Sequence, residues 1–406
     1  MAVNFPEQPA LHSIQGARVS TVKAGVRYPD RDDLVLIELC ESAVSAVVTT
    51  TNAFAAAPVQ LLREFAAGTH AHNPRFLVTN TGNANAGTGA QGLKSARAVC
   101  EQVAKLGGCE VDQVWAFSTG VIGEQLAADR ICSALPAALE ELGADWSRAA
   151  SGIMTTDTLP KATRRQVRIG GEIVTIIGLC KGSGMIRPNM ATMLGYVITD
   201  AKLSAAGADE MLKAGVAQSF NRITVDGDTS TNDCCTLSAT GQVGDLIEPR
   251  SDEFALLQAE VSAALLELAQ LIVRDGEGAT KFVTVEVSGG KTTDEAAKVA
   301  YAVAHSPLVK TALFASDPNW GRLLAAVGYA GVDNLDVSKI SVTVSGVELL
   351  KDGEPAAGYT EAAGQAVFSE PEIVIQIDLA RGDAVDRVYT CDLSYDYVKI
   401  NADYRS

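Results

Sequence analysis

Short runs with the character of β-strands alternate with longer helical stretches along most of the chain, and this mixture restricts the fold more than any other feature. In the run Phe282–Val287, valines alternate with Thr284 and Glu286, as in a strand with one buried face. The stretch Phe254–Val273 carries apolar residues near helical spacing. Because the order is mixed, with no regular βα repeat, we predict an α/β (α+β) architecture of sheets covered by helices. The predicted strands are Leu34–Leu39, Ala43–Thr49, Phe76–Thr79, Val114–Ser118, Val174–Leu179, Thr192–Thr199, Phe282–Val287, Ile340–Ser345, Ile373–Leu379 and Val388–Leu393, and the predicted helices are Ala90–Leu106, Glu124–Leu142, Ala205–Gln218, Phe254–Val273 and Thr293–Ala304.

The length of 406 residues and the hydrophobic content of 47% suit two domains or one large α/β unit. The formal charge of -16 argues against nucleic acid or an anionic membrane as partner, since both require clustered Lys and Arg. The eight cysteines include no CxxC, which is typical of a reduced, cytosolic protein without structural zinc. No apolar secretory signal is visible, and the uncharged run Ser42–Leu62 is too rich in Ser, Thr and Asn to span a membrane. We therefore expect a soluble, cytoplasmic protein.

Two common kinds of catalytic or cofactor motif find no support. The chain has only four histidines, and neither GxSxG nor HExxH occurs; a His-dependent triad is not excluded, but nothing points to it. The glycine-rich segments Gly182–Gly184 and Gly276–Gly278 match neither GxGxxG nor GxxxxGK[ST], so nucleotide binding is not indicated. A hydroxyl nucleophile that works without histidine is left as the chemistry to examine.

The segment KGSGMIRPNMATML, near the midpoint of the chain, offers such a nucleophile in Thr192. A threonine can use its own α-amino group as the base, provided that it is an N-terminus. An internal threonine meets this condition only after cleavage before it, which requires a tight turn and a small preceding residue such as Ala191. Taken alone, the same pattern also fits a loop that enters a buried strand.

Three further segments carry groups suited to acyl chemistry. Phe117–Gly123 follows a strand and could direct hydroxyl and backbone N–H donors at an oxyanion, or cap the next helix. Ile153–Thr158 is rich in hydroxyls, and Asp275–Lys281 places a carboxylate on a glycine-flanked turn that could equally be a helix C-cap. Asn80–Gly87 is typical of a turn-rich structural loop.

Seven long motifs follow one another in the order STGVIG, IMTTDT, KGSGMIRPNMATML, TVDGDTSTND, RDGEGATKF, SPLVKTALFASDPNWGR and NADYRS. Together they resemble the ornithine acetyltransferase family, also called glutamate N-acetyltransferases, of arginine biosynthesis. The similarity runs from NTGNANAG to the last residue. It implies an α/β sandwich similar to that of the self-cleaving β-aminopeptidases.

The resemblance also implies that the chain cleaves itself between Ala191 and Thr192, giving an α fragment, 1–191, and a β fragment, 192–406. Thr192 is then the nucleophile of a ping-pong reaction that takes acetyl from N2-acetylornithine, releases ornithine and passes the acetyl to glutamate. The family pattern places oxyanion stabilisation at Thr119 and Gly120. It places substrate binding at Thr155, Lys181, Thr192, Glu277, Asn401 and Ser406, the last of which is often Thr in the family and keeps a hydroxyl here.

The charges of these residues agree with the substrates. Glu277 suits the ammonium groups of ornithine, and Lys181 suits an α-carboxylate. The resemblance further implies that no cofactor is needed and that the fragments associate as a heterotetramer of two α and two β fragments. The resemblance leaves open whether acetyl-CoA is a second acetyl donor, which would make the enzyme bifunctional. Two other interpretations are a Thr-nucleophile hydrolase (an aminopeptidase or N-acetylornithine deacetylase) and a non-catalytic protein that keeps the fold.

Overall fold

Strands and helices follow one another in mixed order in the computed structural model, which describes residues 2–187 and 193–402. The strands are β1 (Ala17–Val22), β2 (Leu34–Leu39), β3 (Val44–Thr49), β4 (Phe76–Asn83), β5 (Val114–Val121), β6 (Lys161–Ile169), β7 (Glu172–Lys181), β8 (Leu194–Leu203), β9 (Cys234–Ile247), β10 (Phe282–Gly290), β11 (Ser341–Val344), β12 (Val347–Lys351), β13 (Glu354–Pro355), β14 (Glu372–Asp378) and β15 (Ala384–Cys391). The helices are α1 (Ala57–Phe65), α2 (Gly89–Gly107), α3 (Ala128–Glu140), α4 (Trp146–Gly152), α5 (Ala205–Gln218), α6 (Asp252–Arg274), α7 (Thr293–His305), α8 (Pro307–Phe314), α9 (Trp320–Gly328), α10 (Glu361–Ser369) and α11 (Tyr395–Ala402).

The strands form three sheets, and helices cover them. The first sheet has the order β1-β2-β4-β5, the middle sheet β3-β9-β8-β7-β6 and the third sheet β13-β12-β11-β14-β10-β15. The first and middle sheets face each other, because Tyr196 of β8 meets the ring of Phe117 edge-on at 5.3 Å and its hydroxyl lies 2.7 Å from that of Thr79. Helices α5 and α6 pack on the middle sheet, and α7 packs on the third. The predicted fold class, sheets covered by helices in a sandwich, is confirmed.

Helix α6 shows most clearly how an apolar stripe in the sequence produces a helix of the core. The Ser251 hydroxyl caps its N-terminus by accepting the N–H of Phe254 at 3.0 Å. By length and composition alone α6 could cross a membrane, and half of the relevant window is buried in this fold. Its outer face carries Glu260 and Glu267, which pair with Arg165 of β6 at 3.2 and 3.1 Å. We therefore interpret α6 as the core helix of the middle layer.

All ten predicted strands and all five predicted helices occur, most of them with shifted ends. The helix predicted from Glu124 begins four residues later, at Ala128. The side chain of Asn83 donates to the carbonyls of Glu124 and Gln125 at 3.2 and 3.3 Å, and these bonds hold the two residues outside the helix. The predicted strand Thr192–Thr199 corresponds to β8, which begins at Leu194.

Strand β9 was not predicted, although it is 14 residues long and central to the middle sheet. Its first seven residues are all buried, and the remainder is rich in glycine and polar residues. A strand buried on both faces has no alternation of apolar and polar residues, so the period-2 signal is missing.

The middle sheet combines strands from both sides of the predicted cleavage point. Strands β3, β6 and β7 precede residue 191, whereas β8 and β9 follow residue 192. Residues 182–187 follow β7 and precede the predicted cleavage point. Strand β7 pairs directly with β8 in antiparallel orientation. The two predicted fragments thus share one sheet rather than separate cores.

Candidate active site

Polar side chains converge at one end of the space between the first and middle sheets. On β5, Phe117 faces the middle sheet, so Thr119, two residues further, faces the same way. On β7, Leu179 belongs to the core between the sheets, and Lys181 follows it at the same spacing. The Lys181 Nζ lies 3.1 Å from the Thr119 Oγ1. The alternation of two strands therefore produces a contact between residues far apart in sequence.

A cavity of about 270 Å³ opens at this contact. Its lining includes every predicted site residue that the structure describes, namely Thr119, Gly120, Thr155, Lys181, Glu277 and Asn401. Three predicted residues, Ala191, Thr192 and Ser406, lie outside the described residues. Five segments that are distant in sequence thus meet in one place.

Lys181 links two of the predicted hydroxyl groups. Besides Thr119, its Nζ contacts the Thr155 Oγ1 at 2.8 Å. Burial lowers the pKa of Lys181, and the carboxylates of Asp157, Asp233 and Glu277 offset part of that effect. Because the amine donates in both hydrogen bonds, the two threonine O–H hydrogens remain available to a bound carbonyl or carboxylate oxygen.

Gly120 adopts a backbone conformation that favours glycine. Its φ is +133°, and a Cβ there would lie 2.3 Å from the carbonyl carbon of Gly82 on the neighbouring strand β4. The alternative interpretation of this segment as a helix cap is wrong, because Ser118 and Thr119 lie inside β5 and α3 begins nine or more residues later, at Ala128. The Ser118 hydroxyl instead donates to the Asn80 Oδ1 at 2.6 Å, on the face of β5 away from the cavity.

Glu277, with Asn401 as its hydrogen-bond partner, places a negative charge in the same cavity as Lys181. Glu277 is 7% exposed, and its Oε2 accepts the Asn401 Nδ2 at 2.7 Å. The backbone N–H of Glu277 donates to the Ser183 carbonyl at 2.9 Å, which fixes the turn after α6. Gly184 packs on the Glu277 carboxylate so closely that a Cβ would lie 2.3 Å from its Cδ. The cavity therefore has a cationic wall at Lys181 and an anionic wall at Glu277.

A fully buried ion-pair network supports three of the segments that line the cavity. The Lys161 Nζ lies 2.7 Å from Asp157 Oδ1 and 2.6 Å from Asp275 Oδ2. Asp157 also accepts the backbone N–H of Thr155 at 2.9 Å and of Gly182 at 2.7 Å. Burial opposes ionisation of Asp157, but the charges of Lys161 and Lys181 outweigh it and lower the pKa. The network holds the loops of Thr155, Lys181 and Glu277 in one arrangement.

The sequence-based reasoning missed Lys161, because a lysine at the start of the polar strand β6 has the pattern of a surface residue. The signal that could have identified it is its position directly after the hydroxyl-rich segment Ile153–Thr158 and Leu159-Pro160.

Asp233 is a second residue that sequence reasoning missed. Its Oδ1 accepts the N–H of Met193, the first described residue after the gap, at 2.6 Å, and its Oδ2 accepts the N–H of Ser230 at 3.1 Å. Burial raises the pKa of Asp233 to about 8, against the opposing effect of these N–H donors and of Lys181. A buried carboxyl group thus anchors the entrance to β8, close to the charge of Lys181.

The segment 224–233, which contains Asp233, also binds the residues that precede 188–192. Asp226 accepts the N–H groups of Met185 and Ile186 at 2.7 and 2.9 Å, and Thr229 donates to the Arg187 carbonyl at 3.0 Å. The segment TVDGDTSTND, which belongs to the family resemblance, therefore anchors the described residues on both flanks of 188–192.

Comparisons with known proteins agree with the motifs. The model of the ArgJ family matches residues 18–406. Proteins named arginine biosynthesis bifunctional protein ArgJ are 58% identical in Psychrobacter arcticus, over 100% of both chains, and 54% identical in Pseudomonas syringae pv. tomato, again over 100% of both. A crystal structure of the protein of that name from Bacillus halodurans is 39% identical, with a TM-score of 0.50 over 52% of this chain and 99% of that one. The chain therefore belongs to the ArgJ family.

Proposed function

We propose that this chain, as a member of the ArgJ family, transfers an acetyl group from N2-acetylornithine to glutamate in arginine biosynthesis. The observation that carries the proposal is one cavity in which Lys181, Thr119 and Thr155 face the pair Glu277 and Asn401. Both substrates are α-amino acids, so a single cationic contact can hold the α-carboxylate of each in turn. Family membership supports this reaction rather than the hydrolase alternative.

The nucleophile in this proposal is Thr192, freed by self-cleavage after Ala191. The Thr192 hydroxyl attacks the Ala191 carbonyl carbon, the peptide nitrogen leaves, and water hydrolyses the resulting ester. The fragments 1–191 and 192–406 result, and Thr192 gains the free α-amine that can act as its base. Support comes from the anchoring of both flanks, by Asp226 before the segment and by Asp233 after it.

Acetyl transfer then proceeds in two half-reactions. The Thr192 Oγ attacks the acetyl carbonyl of N2-acetylornithine while its α-amine takes the hydroxyl proton. The Thr119 O–H and the Gly120 N–H stabilise the oxyanion, and ornithine leaves with the proton returned to its α-nitrogen. The α-amine of glutamate attacks the acetyl-Thr192 ester in the reverse sense and regenerates the enzyme.

The remaining site residues hold the substrates. Lys181 and Thr155 bind the α-carboxylate, and Glu277 binds the δ-ammonium of ornithine with Asn401 keeping its carboxylate in place. Ser406 contributes a hydroxyl. No step in this scheme uses a cofactor or a metal, and among residues 2–187 and 193–402 no cluster of three or more His, Cys, Asp or Glu could hold a metal ion.

Several finer features belong to the same proposal. We expect acetyl-CoA to serve as a second acetyl donor, as the name bifunctional of the relatives suggests. We also expect the two fragments to assemble as a heterotetramer. All eight cysteines are free, which supports a cytoplasmic location.

The proposal is tested by intact-mass spectrometry under denaturing conditions, together with an assay of acetyl transfer. We expect two masses that divide the chain between residues 191 and 192, and formation of N-acetylglutamate and ornithine in equal amounts. Thr192→Ala should give one full-length mass and no transfer. A single mass for the unmodified chain, or ornithine release without acetylation of glutamate, would contradict the proposal; the second result would favour the hydrolase.

A further inference from the structure

The proposed reaction, on which this inference rests, brings two substrates with side chains of opposite charge to one site. Ornithine carries a δ-ammonium, which Glu277 attracts. Glutamate carries a γ-carboxylate, which the buried charge of Glu277 repels. If both amino acids hold their α-carboxylates at Lys181, their side chains cannot end at the same place with equal stability. Glutamate therefore requires a cation in a different direction from Glu277.

A second cavity of about 240 Å³ adjoins the first and offers such a direction. The two cavities share Gly120, Val121, Thr155 and Thr156, so they meet along the wall that carries the proposed oxyanion and carboxylate contacts. The second cavity is lined in addition by Arg27, Tyr28, Arg31, Asp33, Thr81, Gly82 and Ile400. Its walls combine apolar groups with two guanidinium groups.

Arg31 is the cation best placed in this cavity. Its Nη2 donates to the carbonyl of Met154 at 2.5 Å, which holds the guanidinium one residue from Thr155. Throughout residues 2–187 and 193–402, no carboxylate forms an ion pair with Arg31. The guanidinium has five donors, and one carbonyl uses only one of them.

The other charges of the cavity are already compensated. Arg27 pairs with Glu124 at 2.9 Å. Asp33 accepts the backbone N–H groups of Ala24 and Val26, each at 2.6 Å, so its negative charge is held by its own loop. The charge left for a ligand is therefore the positive charge of Arg31.

We propose that Arg31 binds the γ-carboxylate of the acceptor glutamate in this second cavity. Glutamate and ornithine then share the α-carboxylate contacts and direct their side chains into different cavities, towards Arg31 and towards Glu277. Guanidinium and carboxylate match as a two-pronged hydrogen-bonded pair, and Val121 and Ile400 line the path with apolar surface. Arg31 is accordingly a specificity-determining residue for the acceptor.

Ping-pong kinetics allow a direct test, because kcat/KM for each substrate reports only its own half-reaction. In Arg31→Gln, kcat/KM for glutamate should fall roughly ten- to hundredfold through loss of a charged hydrogen bond. The value for N2-acetylornithine should stay within about twofold of the unmodified enzyme. The preference for glutamate over glutamine, the neutral isostere, should disappear in the variant.

Two controls separate recognition from a general loss of structure. Arg31→Lys keeps the charge but loses the planar fork, so it should keep part of the preference. Arg148→Gln removes an arginine that pairs with Asp32 and Glu141 outside both cavities, and should change neither kcat/KM.

Equal losses for both substrates in Arg31→Gln, or an unchanged ratio of glutamate to glutamine, would overturn the inference. Independently of any variant, the unmodified enzyme must prefer glutamate to glutamine at least about tenfold, and equal kcat/KM values would also overturn it. Absence of transfer from N2-acetylornithine to glutamate in the unmodified enzyme would instead overturn the proposed function, and the inference with it.

Discussion

At the scale of single residues, the position of Thr119 on β5 leads to a kinetic prediction. Lys181 donates to the Thr119 Oγ1, so the threonine O–H hydrogen is free to donate to an oxyanion. Since an oxyanion forms in both half-reactions, Thr119→Ala should lower kcat/KM for N2-acetylornithine and for glutamate alike, by roughly 10²–10³. Steady-state kinetics with each substrate varied in turn measures both values.

The neighbouring residue provides a matched control. Ser118→Ala removes a hydroxyl on the opposite face of the same strand, where it bonds to Asn80, and should change both values only a few-fold. Thr119→Ser, which keeps the hydroxyl, should retain most of the activity. A loss in Thr119→Ala confined to one substrate would argue against an oxyanion role.

The buried carboxyl of Asp233 predicts a pH dependence of stability. Burial raises its pKa to about 8 in the folded protein, whereas an exposed Asp titrates near 3.9. As the pH rises, Asp233 therefore loses its proton first in the unfolded chain. Between about pH 3.9 and about pH 8 the folded protein binds one proton more than the unfolded chain. The stabilisation is fully present below pH 4 and is lost as pH rises through about 8, with a slope of at most about 1.4 kcal/mol per pH unit.

Chemical denaturation at a series of pH values measures this effect as the difference between the unmodified chain and Asp233→Asn. The variant lacks the titrating proton, so the difference in the free energy of unfolding should decrease from pH 5 to pH 8 and then level off. A difference independent of pH would show that Asp233 is ionised throughout this range.

At the scale of elements, the network of Lys161, Asp157 and Asp275 joins the start of β6 to the turn after α6. Removing one partner of a buried pair leaves an uncompensated charge, so Lys161→Met should lower the free energy of unfolding by about 3–5 kcal/mol. Thermal or urea unfolding measures the change.

An exposed pair with similar geometry serves as the comparison. Lys213 lies 2.7 Å from Asp209 one turn away on α5, with more than a third of each side chain exposed. Lys213→Met should cost only about 0.3–0.5 kcal/mol, because solvent screens the pair. Similar losses in Lys161→Met and Lys213→Met would mean that the network does not support the site as described.

At the scale of the whole molecule, the middle sheet predicts how the cleaved protein behaves. β7 pairs with β8 along six residues from Lys181–Leu194 to Ile176–Thr199, and β3 pairs with β9 along six residues. Fragments 1–191 and 192–406 therefore share a continuous hydrogen-bond ladder and the hydrophobic core between two sheets. We expect them to co-elute in size-exclusion chromatography without denaturant and to separate only when the protein unfolds. Elution of either fragment alone under native conditions would contradict this expectation.

The sequence located elements that carry a clear apolar pattern, whether one face is wet, as in β10, or nearly every residue is buried, as in β2. Alternating strands such as β10 and the apolar stripe of α6 were located to within a few residues. The central strand β9 was missed, because its buried half, CCTLSAT, neither alternates nor forms a run of large apolar residues. The start of α3 was misplaced, because Asn83 on a distant strand binds the carbonyls of the preceding turn.

The sequence by itself determined the fold class, the family and the set of candidate site residues, because these depend on local periodicity and on ordered motifs that the chain carries directly. Only the tertiary structure decided how those residues meet. Lys181 contacts Thr119 and Thr155, and Lys161 contacts Asp275. Arg31 contacts Met154 at the second cavity. Each of these contacts joins residues that are more than twenty positions apart in the sequence. Such contacts depend on the packing of two sheets, and no local pattern in the chain records that packing.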